Sequence, residues 1–555
     1  GGSADAVDVA FGHVGQVEVD DVFDAVDIDA AGGDVGGDQH AGFAGFEGGE
    51  GAFALALAFI AVDGHGGQAA IGRGVGVQFQ IALIGNQQGR VLDQGVQLGL
   101  ALAGTQRGQL LALFLEHGQP PPQNIVETAS LPVIIHLLRH SDLLTALPAE
   151  SRARVFADVL APACISVDHP SFLSFVPGAP TESAVLFDLV LSASNIYAGS
   201  WLEGAGAVYA ENQALRWIAD LAGMPDETGG VFVTGGTAGN LSALLAARWN
   251  WRNKANGALD AMRPLIVASG GSHSSVAQAA KVMDADVMKV PVDERGRTSG
   301  TAIKQLIDSL SETDKSRICA VVATSGTTNV GVVDDLQGIG EQARRLNAWF
   351  HVDGAYGAAA LCAPSVRHLF NGIEQCDSLI VDPHKWLFGP YDSCALLYRN
   401  PEIARQAHTQ HAEYLDVLQQ EGDKRPDEAM NPADLAHHLS RRARGLPVWF
   451  SLAMHGTDAY RDAMEATLQV TRESADIIRN ATHVDLVLEP ELSVIVFKRL
   501  GWTAQQYQQW SDRILERGLA FVVPSSWNGE TVLRLCIVNP RTTVAGIQSI
   551  IDSLK

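Results

Sequence analysis

Residues Ser378–Gly389 read SLIVDPHKWLFG, an apolar β-rich run that stops at an Asp-Pro-His turn and is followed at once by a lysine. A short apolar run closed by such a turn marks the end of a buried strand. Lys385 is therefore expected at the carboxyl edge of a sheet, beside the ring of Trp386. A surface lysine after a turn has the same local sequence, so the surrounding pattern has to decide. Upstream lie the apolar runs Val231–Thr234, Leu265–Ala268, Val287–Val290, Ile318–Thr324 and Trp349–Val352, and downstream lies Cys394–Tyr398. Between them fall the helical periods Asn240–Lys254, Ser274–Met283, Thr301–Ser311 and Leu336–Asn347. Strands alternating with helices give an α/β fold, here a large, mostly parallel seven-stranded sheet covered on both faces. Ligands of such sheets sit beyond the carboxyl ends of the strands.

Outward from this core the pattern changes twice. From about Gly456 a long helix (Asp458–Asn480) leads into a strand (Ser493–Lys498), a helix (Ala504–Arg517), two strands (Ala520–Pro524, Val532–Val538) and a last helix (Val544–Leu554). These describe a smaller C-terminal α+β domain over residues 456–555, after a large domain over 195–455 and a helical segment over 119–194. Residues 1–118 are of another kind: 26 Gly, 15 acidic residues and three Arg, without Lys, Pro, Met, Tyr, Trp or Cys. Their net −12 is half of the chain's −24. A flexible acidic extension, a small domain with illegible patterning, and the translation of GC-rich DNA in an unused frame all produce such a string. The third is favoured, and the first methionine of the chain is Met224. A native chain beginning near residues 119–150 is the expectation.

Composition narrows the function class. The 555 residues are 46% apolar and 18% charged with mean hydropathy +0.07, as in a soluble globular enzyme or binding protein. A charge of −24 argues against nucleic acid or an anionic membrane as partner. The apolar stretch Ala52–Val62 is too short to span a bilayer. Six scattered cysteines without a CxxC pair argue against disulfides and zinc, and suit a reducing cytoplasm. His437, His438, His408 and His411 lack the carboxylate pattern of a zinc site, so no metal is expected.

Four more segments carry polar chemistry to strand ends. Trp349–Gly357 (WFHVDGAYG) ends a strand on Asp353, which suits either a helix cap or a carboxylate offered to a ligand ring. It lies 32 positions before Lys385, about one strand-helix-strand unit. Phe232–Leu241 (FVTGGTAGNL) is a strand, a glycine turn and a helix start, where backbone N–H groups can cradle phosphate. It is neither GxGxxG nor a Walker loop. Gly270–Val276 (GGSHSSV) places His273 at a helix start, as a cap or as an imidazole stacked on a planar ligand. Thr324–Asp334 (TSGTTNVGVVD) supplies hydroxyls from a loop after a strand.

In order and combination, SHSSV, SGTT, HVDGAYG and DPHKW resemble the group II pyridoxal-phosphate-dependent amino-acid decarboxylases, a family that includes aromatic amino-acid and glutamate decarboxylases, over about residues 165–555. The resemblance implies the aspartate-aminotransferase-like fold (PLP fold type I) and pyridoxal 5'-phosphate as cofactor. It implies that Lys385 holds the cofactor covalently, Asp353 pairs with the pyridine nitrogen, His273 stacks over the ring and Ala355 packs beneath it. Thr237 and Ala238 would hold the phosphate through their N–H groups, Thr328 would contact the polar edge, and His384 would lie beside the departing carboxylate. The implied reaction turns an L-amino acid into its amine and CO2, and the implied assembly is a homodimer.

The segments that resemble the family's substrate pocket, Phe172–Pro180 and Gly199–Glu203, are apolar and lack arginine. They favour an aromatic or other apolar substrate over an acidic amino acid or diaminobutyrate. A different lyase or a transaminase of the same fold is the runner-up. In one respect the chain departs from the family: the stretch Lys424–Ser440 before Arg441-Arg442-Ala443-Arg444, expected to be a helix, contains no tyrosine to protonate the carbanion. His437, His438, Tyr414 and His384 are the candidates, with His437 preferred. Because every motif lies beyond residue 165, deleting residues 1–118 should leave folding and turnover intact. Circular dichroism and an activity assay of the truncated protein check this, and aggregation of the truncated form would count against it.

Overall fold

The computed structural model describes residues 160–254, 259, 261–412 and 430–555, together with Ala157 and three short strands upstream. Most of residues 1–159, Tyr414 and the loop portion 424–429 lie outside the described residues. The main compact unit contains residues 167–191 and 196–555. In the second unit the strands Phe79–Ile81, Leu100–Leu102 and Val126–Thr128 pair antiparallel with the first in the middle. Val126–Thr128 falls in the segment expected to be helical, of which α1 (Glu182–Ser194) is the described helix.

Seven strands form the large sheet: β1 (Gly229–Val233), β2 (Leu265–Ser269), β3 (Asp286–Val290), β4 (Ile318–Thr324), β5 (Trp349–Asp353), β6 (Ser378–Val381) and β7 (Cys394–Tyr398). Their order is β1-β7-β6-β5-β4-β2-β3. All neighbouring pairs are parallel except those of β7, which runs antiparallel to both β6 and β1. Alternate residues of each strand enter opposite cores, as the pleat requires. Phe232, Leu265, Val267, Val321 and Leu379 join one, with α2 (Trp201–Leu221), α5 (Gly300–Ser309), α6 (Leu336–Arg345) and α8 (Leu446–Asn480). Val231, Ile266, Ala268, Val322 and Ile380 join the other, with α3 (Gly236–Lys254), α4 (Ser274–Val282) and α7 (Pro401–His408). Covered on both faces, the inner strands have no solvated side, which explains why they read as continuous apolar runs, whereas the edge strand β3 exposes Lys289.

A third core belongs to the C-terminal part. The strands β8 (Val484–Leu488), β9 (Val494–Arg499), β10 (Pro524–Trp527) and β11 (Glu530–Cys536) form an antiparallel sheet in the order β8-β9-β11-β10. Phe497, Trp510 and Ile547 pack there with α9 (Ala504–Glu516) and α10 (Val544–Asp552). The strand expected over Ala520–Pro524 begins instead at Pro524. Phe521 is diverted into an isolated parallel bridge with Phe172, its N–H donating to Ser171 O at 2.9 Å and its carbonyl accepting from Leu173 N at 3.1 Å. The upstream segment 171–180 is thereby sewn to the C-terminal part.

Arg441–Arg444 is not helical. Arg441, 5% exposed, pairs with Glu211 of α2 at 2.7 Å and also donates to Ala198 O and Phe232 O. One guanidinium satisfying two carbonyls and a carboxylate needs the chain extended there. Pro447 then sits in the first turn of α8, which runs on to Asn480 through a kink at Gly456 (φ 76°).

Candidate active site

The parallel register sets Asp353 opposite Ile380, and the lysine turn follows β6 one residue later. Asp353, Lys385, His384 and His273 all line one cavity of about 370 Å³ at the carboxyl edge of the sheet, with Thr237, Ala238, Thr328 and Ala355. Trp386 is not among them. Fully buried, it stacks on Tyr356 at 5.3 Å and donates to Thr467 Oγ1 at 3.1 Å. Its neighbour Lys385 faces the cavity, so the tryptophan anchors the turn from behind rather than flanking the amine. Phe388, with φ 55°, is a bulky residue in the left-handed region that packs against Tyr460 at 5.9 Å.

A hydrogen-bond chain of single polarity holds the carboxylate. Asn240 of α3 donates from Nδ2 to Asp353 Oδ2 at 2.9 Å and to Ser275 Oγ at 2.8 Å. A carboxylate only accepts, so the amide can point only one way, and Asn240 Oδ1 must accept from His351 Nε2 at 2.8 Å. His351 Nδ1 then accepts from Ser378 Oγ at 2.8 Å, and Ser378 accepts from Trp349 Nε1 at 2.8 Å. Burial drives His351 down to about 4, so this imidazole is neutral near pH 7. Asp353 Oδ1 takes the Ala355 N–H at 3.2 Å. Asp353 thus closes a local turn and is a cavity carboxylate at once, whereas the cap position of the following 3-10 helix falls to Tyr356.

His273 likewise has a local and a cavity role. Its Nδ1 accepts from Ser275 N at 3.2 Å as the cap of α4 and from Ser275 Oγ at 2.8 Å, which leaves the proton on Nε2. Thr328 is carried by a loop closed by the Ser325–Val333 bridge and by Asp334, which accepts from Thr324 N at 2.8 Å.

On the lysine turn, Asp382 Oδ2 lies 2.9 Å from Lys385 Nζ. Burial pulls the lysine down, and the charge and hydrogen bond of Asp382 outweigh it, leaving the amine above the ordinary lysine value. His384 is held below the ordinary histidine value, chiefly by burial, with its Nδ1 2.6 Å from Ser393 O and its ring stacked on Tyr391 at 4.8 Å. The segment Phe172–Pro180 reaches this turn: a Cβ on Gly178 would stand 2.2 Å from Lys385 O.

His437 is elsewhere. Its Nδ1 lies 2.9 Å from Ser242 Oγ on α3, and neither it nor His438 lines the cavity. Of the described candidates for the proton donor, only His384 does. Asp382, Asn240, His351 and Tyr391 gained no role from sequence. The polar residues at apolar strand ends and in the first turn of α3 were the available signal, and Tyr391 had none.

The donor set fits a pyridine aldehyde phosphate. An amine and a hydrogen-bonded carboxylate share the cavity with the N-terminus of α3, where Gly235 and Gly236 carry no side chain and Gly236 N already donates to a carboxylate at 3.3 Å. Residues 147–500 match the model of the pyridoxal-dependent decarboxylase conserved domain. The chain belongs to that family: it is a pyridoxal-phosphate-dependent amino-acid decarboxylase, a carboxy-lyase.

Among its relatives, an aromatic-L-amino-acid decarboxylase of Bacillus atrophaeus is 31% identical, over 70% of this chain and 81% of the relative. An L-2,4-diaminobutyrate decarboxylase of Rhizobium meliloti is 28% identical, over 70% and 78%. The crystal structure of Oryza sativa TDC with PLP and tryptamine shares the fold, with a TM-score of 0.67, 22% identity and coverage of 74% of this chain and 88% of that one. No helix among the described residues is long and apolar enough to cross a membrane. Lys385→Ala should abolish both the visible absorbance of bound cofactor and turnover, as no other lysine lines the cavity. Absorption spectra of the purified variant check this.

Proposed function

We propose that the chain decarboxylates an aromatic L-amino acid to its amine, using Lys385 to hold the cofactor, Asp353 to keep the pyridine nitrogen protonated and His273 to stack on the ring. The convergence of these three side chains with the N-terminus of α3 on one cavity carries the reading. Pyridoxal phosphate, when bound, supplies an electron sink for the bond that loses CO2. Ala355, fixed by its N–H to Asp353, would support the ring from beneath. Thr237 and Ala238 present first-turn N–H groups to phosphate, and Thr328 faces the polar edge. Lys385 would hold the cofactor through its amine and would yield that position to the amine of the substrate. His384, which lines the cavity, is the described candidate to return a proton to the carbon that has lost CO2.

Support for an aromatic substrate comes from the apolar segment against the lysine turn, where Phe172, Phe175 and Phe521 cluster within 6.3 Å of one another, and from a cavity lining without arginine. The 31% identical relative points the same way. The diaminobutyrate relative makes a diamino acid the second reading. A homodimer is proposed on the family resemblance and on apolar surface such as Leu202, 69% exposed. A reducing cytoplasm suits its six free cysteines.

Incubation with each common amino acid and diaminobutyrate, reading amine by mass spectrometry and CO2 release, tests the reading. Aromatic substrates should give amine and CO2 together, whereas 2-oxo acid without CO2 would refute decarboxylation. His437→Asn should leave the rate and the amine yield unchanged. His384→Gln should slow product formation and divert turnovers into aldehyde and pyridoxamine phosphate, which chromatography of the cofactor detects.

A further inference from the structure

Asp382 has no part in the chemistry above, yet it is the nearest charge to the reacting amine. It is 1% exposed, and its Oδ2 stands 2.9 Å from Lys385 Nζ and 3.6 Å from His384 Nε2 while accepting from Gly236 N at 3.3 Å. Its own N–H donates to Ala355 O at 3.0 Å, so the backbone after β6 is tied to the turn after β5. A Cβ on Gly236 would come within 3.1 Å of Oδ2, which leaves the carboxylate little freedom on the side of α3. A carboxylate this far from water stays ionised only where a cation and donors hold it. The ammonium of Lys385 is that cation.

We propose that Asp382 is the positioning residue of Lys385: it holds the free amine as an ammonium beside the N-terminus of α3, and so sets the pH range over which the chain captures pyridoxal phosphate. The proposal rests on Lys385 being the cofactor-binding amine. Capture requires the neutral amine. The ammonium first yields its proton to solvent, the nitrogen then adds to the aldehyde carbon, a C=N bond replaces C=O, and the aldehyde oxygen leaves as water.

The groups facing the amine are Asp382 and His384 on its own turn, Asp353 at the end of β5, Cys394 on β7 and Tyr391 in the β6–β7 loop. Burial opposes the ammonium, and the Asp382 carboxylate is the largest influence favouring it. His384, held below the ordinary histidine value, adds no charge near neutrality. With the Asp382 charge removed, burial works against the ammonium with only Asp353 and Cys394 opposing it, and the neutral amine appears at lower pH. An incoming phosphate also meets this carboxylate at Gly236 N. That repulsion does not vary with pH once the phosphate is doubly ionised, above about pH 6.

The test is stopped-flow growth of visible absorbance when pyridoxal phosphate is mixed with apo-protein, wild type and Asp382→Asn, from about pH 7 to about pH 10. The wild-type rate should still be rising at the top of this range, whereas the Asn variant should level off within it, its curve displaced to lower pH by a unit or more, about tenfold faster capture at one pH on the rising limb. Asp382→Ser should show the same displacement, which guards against a local effect of the Asn amide. Superimposed curves would overturn the proposal, and so would an Asn curve that runs parallel to the wild-type curve and still rises at the top of the range, the mark of relieved phosphate repulsion alone. Lys385→Ala in the same experiment separates the two readings: a visible adduct there would show that Lys385 is not the binding amine, independently of what Asp382 does.

Discussion

The amide of Asn240 is the joint on which the site depends. It stands in the first turns of α3, reaches β5, and has only one orientation that satisfies its neighbours, because Asp353 accepts and cannot donate. From that single polarity follow the tautomer of His351, the direction of the Ser378 hydroxyl, and the acceptor role of His273 Nδ1 through Ser275. A buried network satisfied at Asn240, Ser275, His351 and Ser378 defines one geometry and penalises all others. The Asp353 carboxylate, the His273 imidazole and the N-terminus of α3 are thus held as one piece.

The lysine turn is held by different means. Trp386 is driven into the core behind it, Gly178 lets a neighbouring segment close on the Lys385 carbonyl, and Asp382 ties the turn to Ala355 and to Gly236. The two halves of the site therefore meet through backbone contacts between the ends of β5 and β6. Their adjacency comes from parallel pairing, which places the carboxyl ends of both strands on one edge. The antiparallel β7 lies between β6 and β1, so β1 again runs with β6 and delivers α3 to the same edge.

Much of this was legible in order along the chain. Each inner strand of the large sheet is a short apolar run because both faces are covered, and Asp353, His273 and Lys385 sit where such runs stop, so period and position placed them at the sheet's carboxyl edge while their roles came only with the family resemblance. The misreadings occurred where a long-range partner overrides local pattern. Phe521 would extend β10 were it not paired with Phe172. Arg441 sits among residues suited to a helix but is stretched to reach Glu211, Ala198 and Phe232. His437 follows a polar loop in sequence yet turns to Ser242, away from the cavity.

By itself, then, the sequence determined the alternation of strands and helices, the three cores it implies and the set of residues that stop at the sheet's carboxyl edge. These depend on local periodicity and on turn chemistry, which act over a few residues. Tertiary structure alone decided which polar groups share a proton or a charge: the orientation of Asn240, the neutrality of His351, the burial of Asp382 against Lys385, and the exclusion of His437. Electrostatics in a buried site depends on distances of about 3 Å between segments far apart in the chain, as Asn240 is from His351 and Asp353, and on the water removed around them, neither of which has a signature in local sequence.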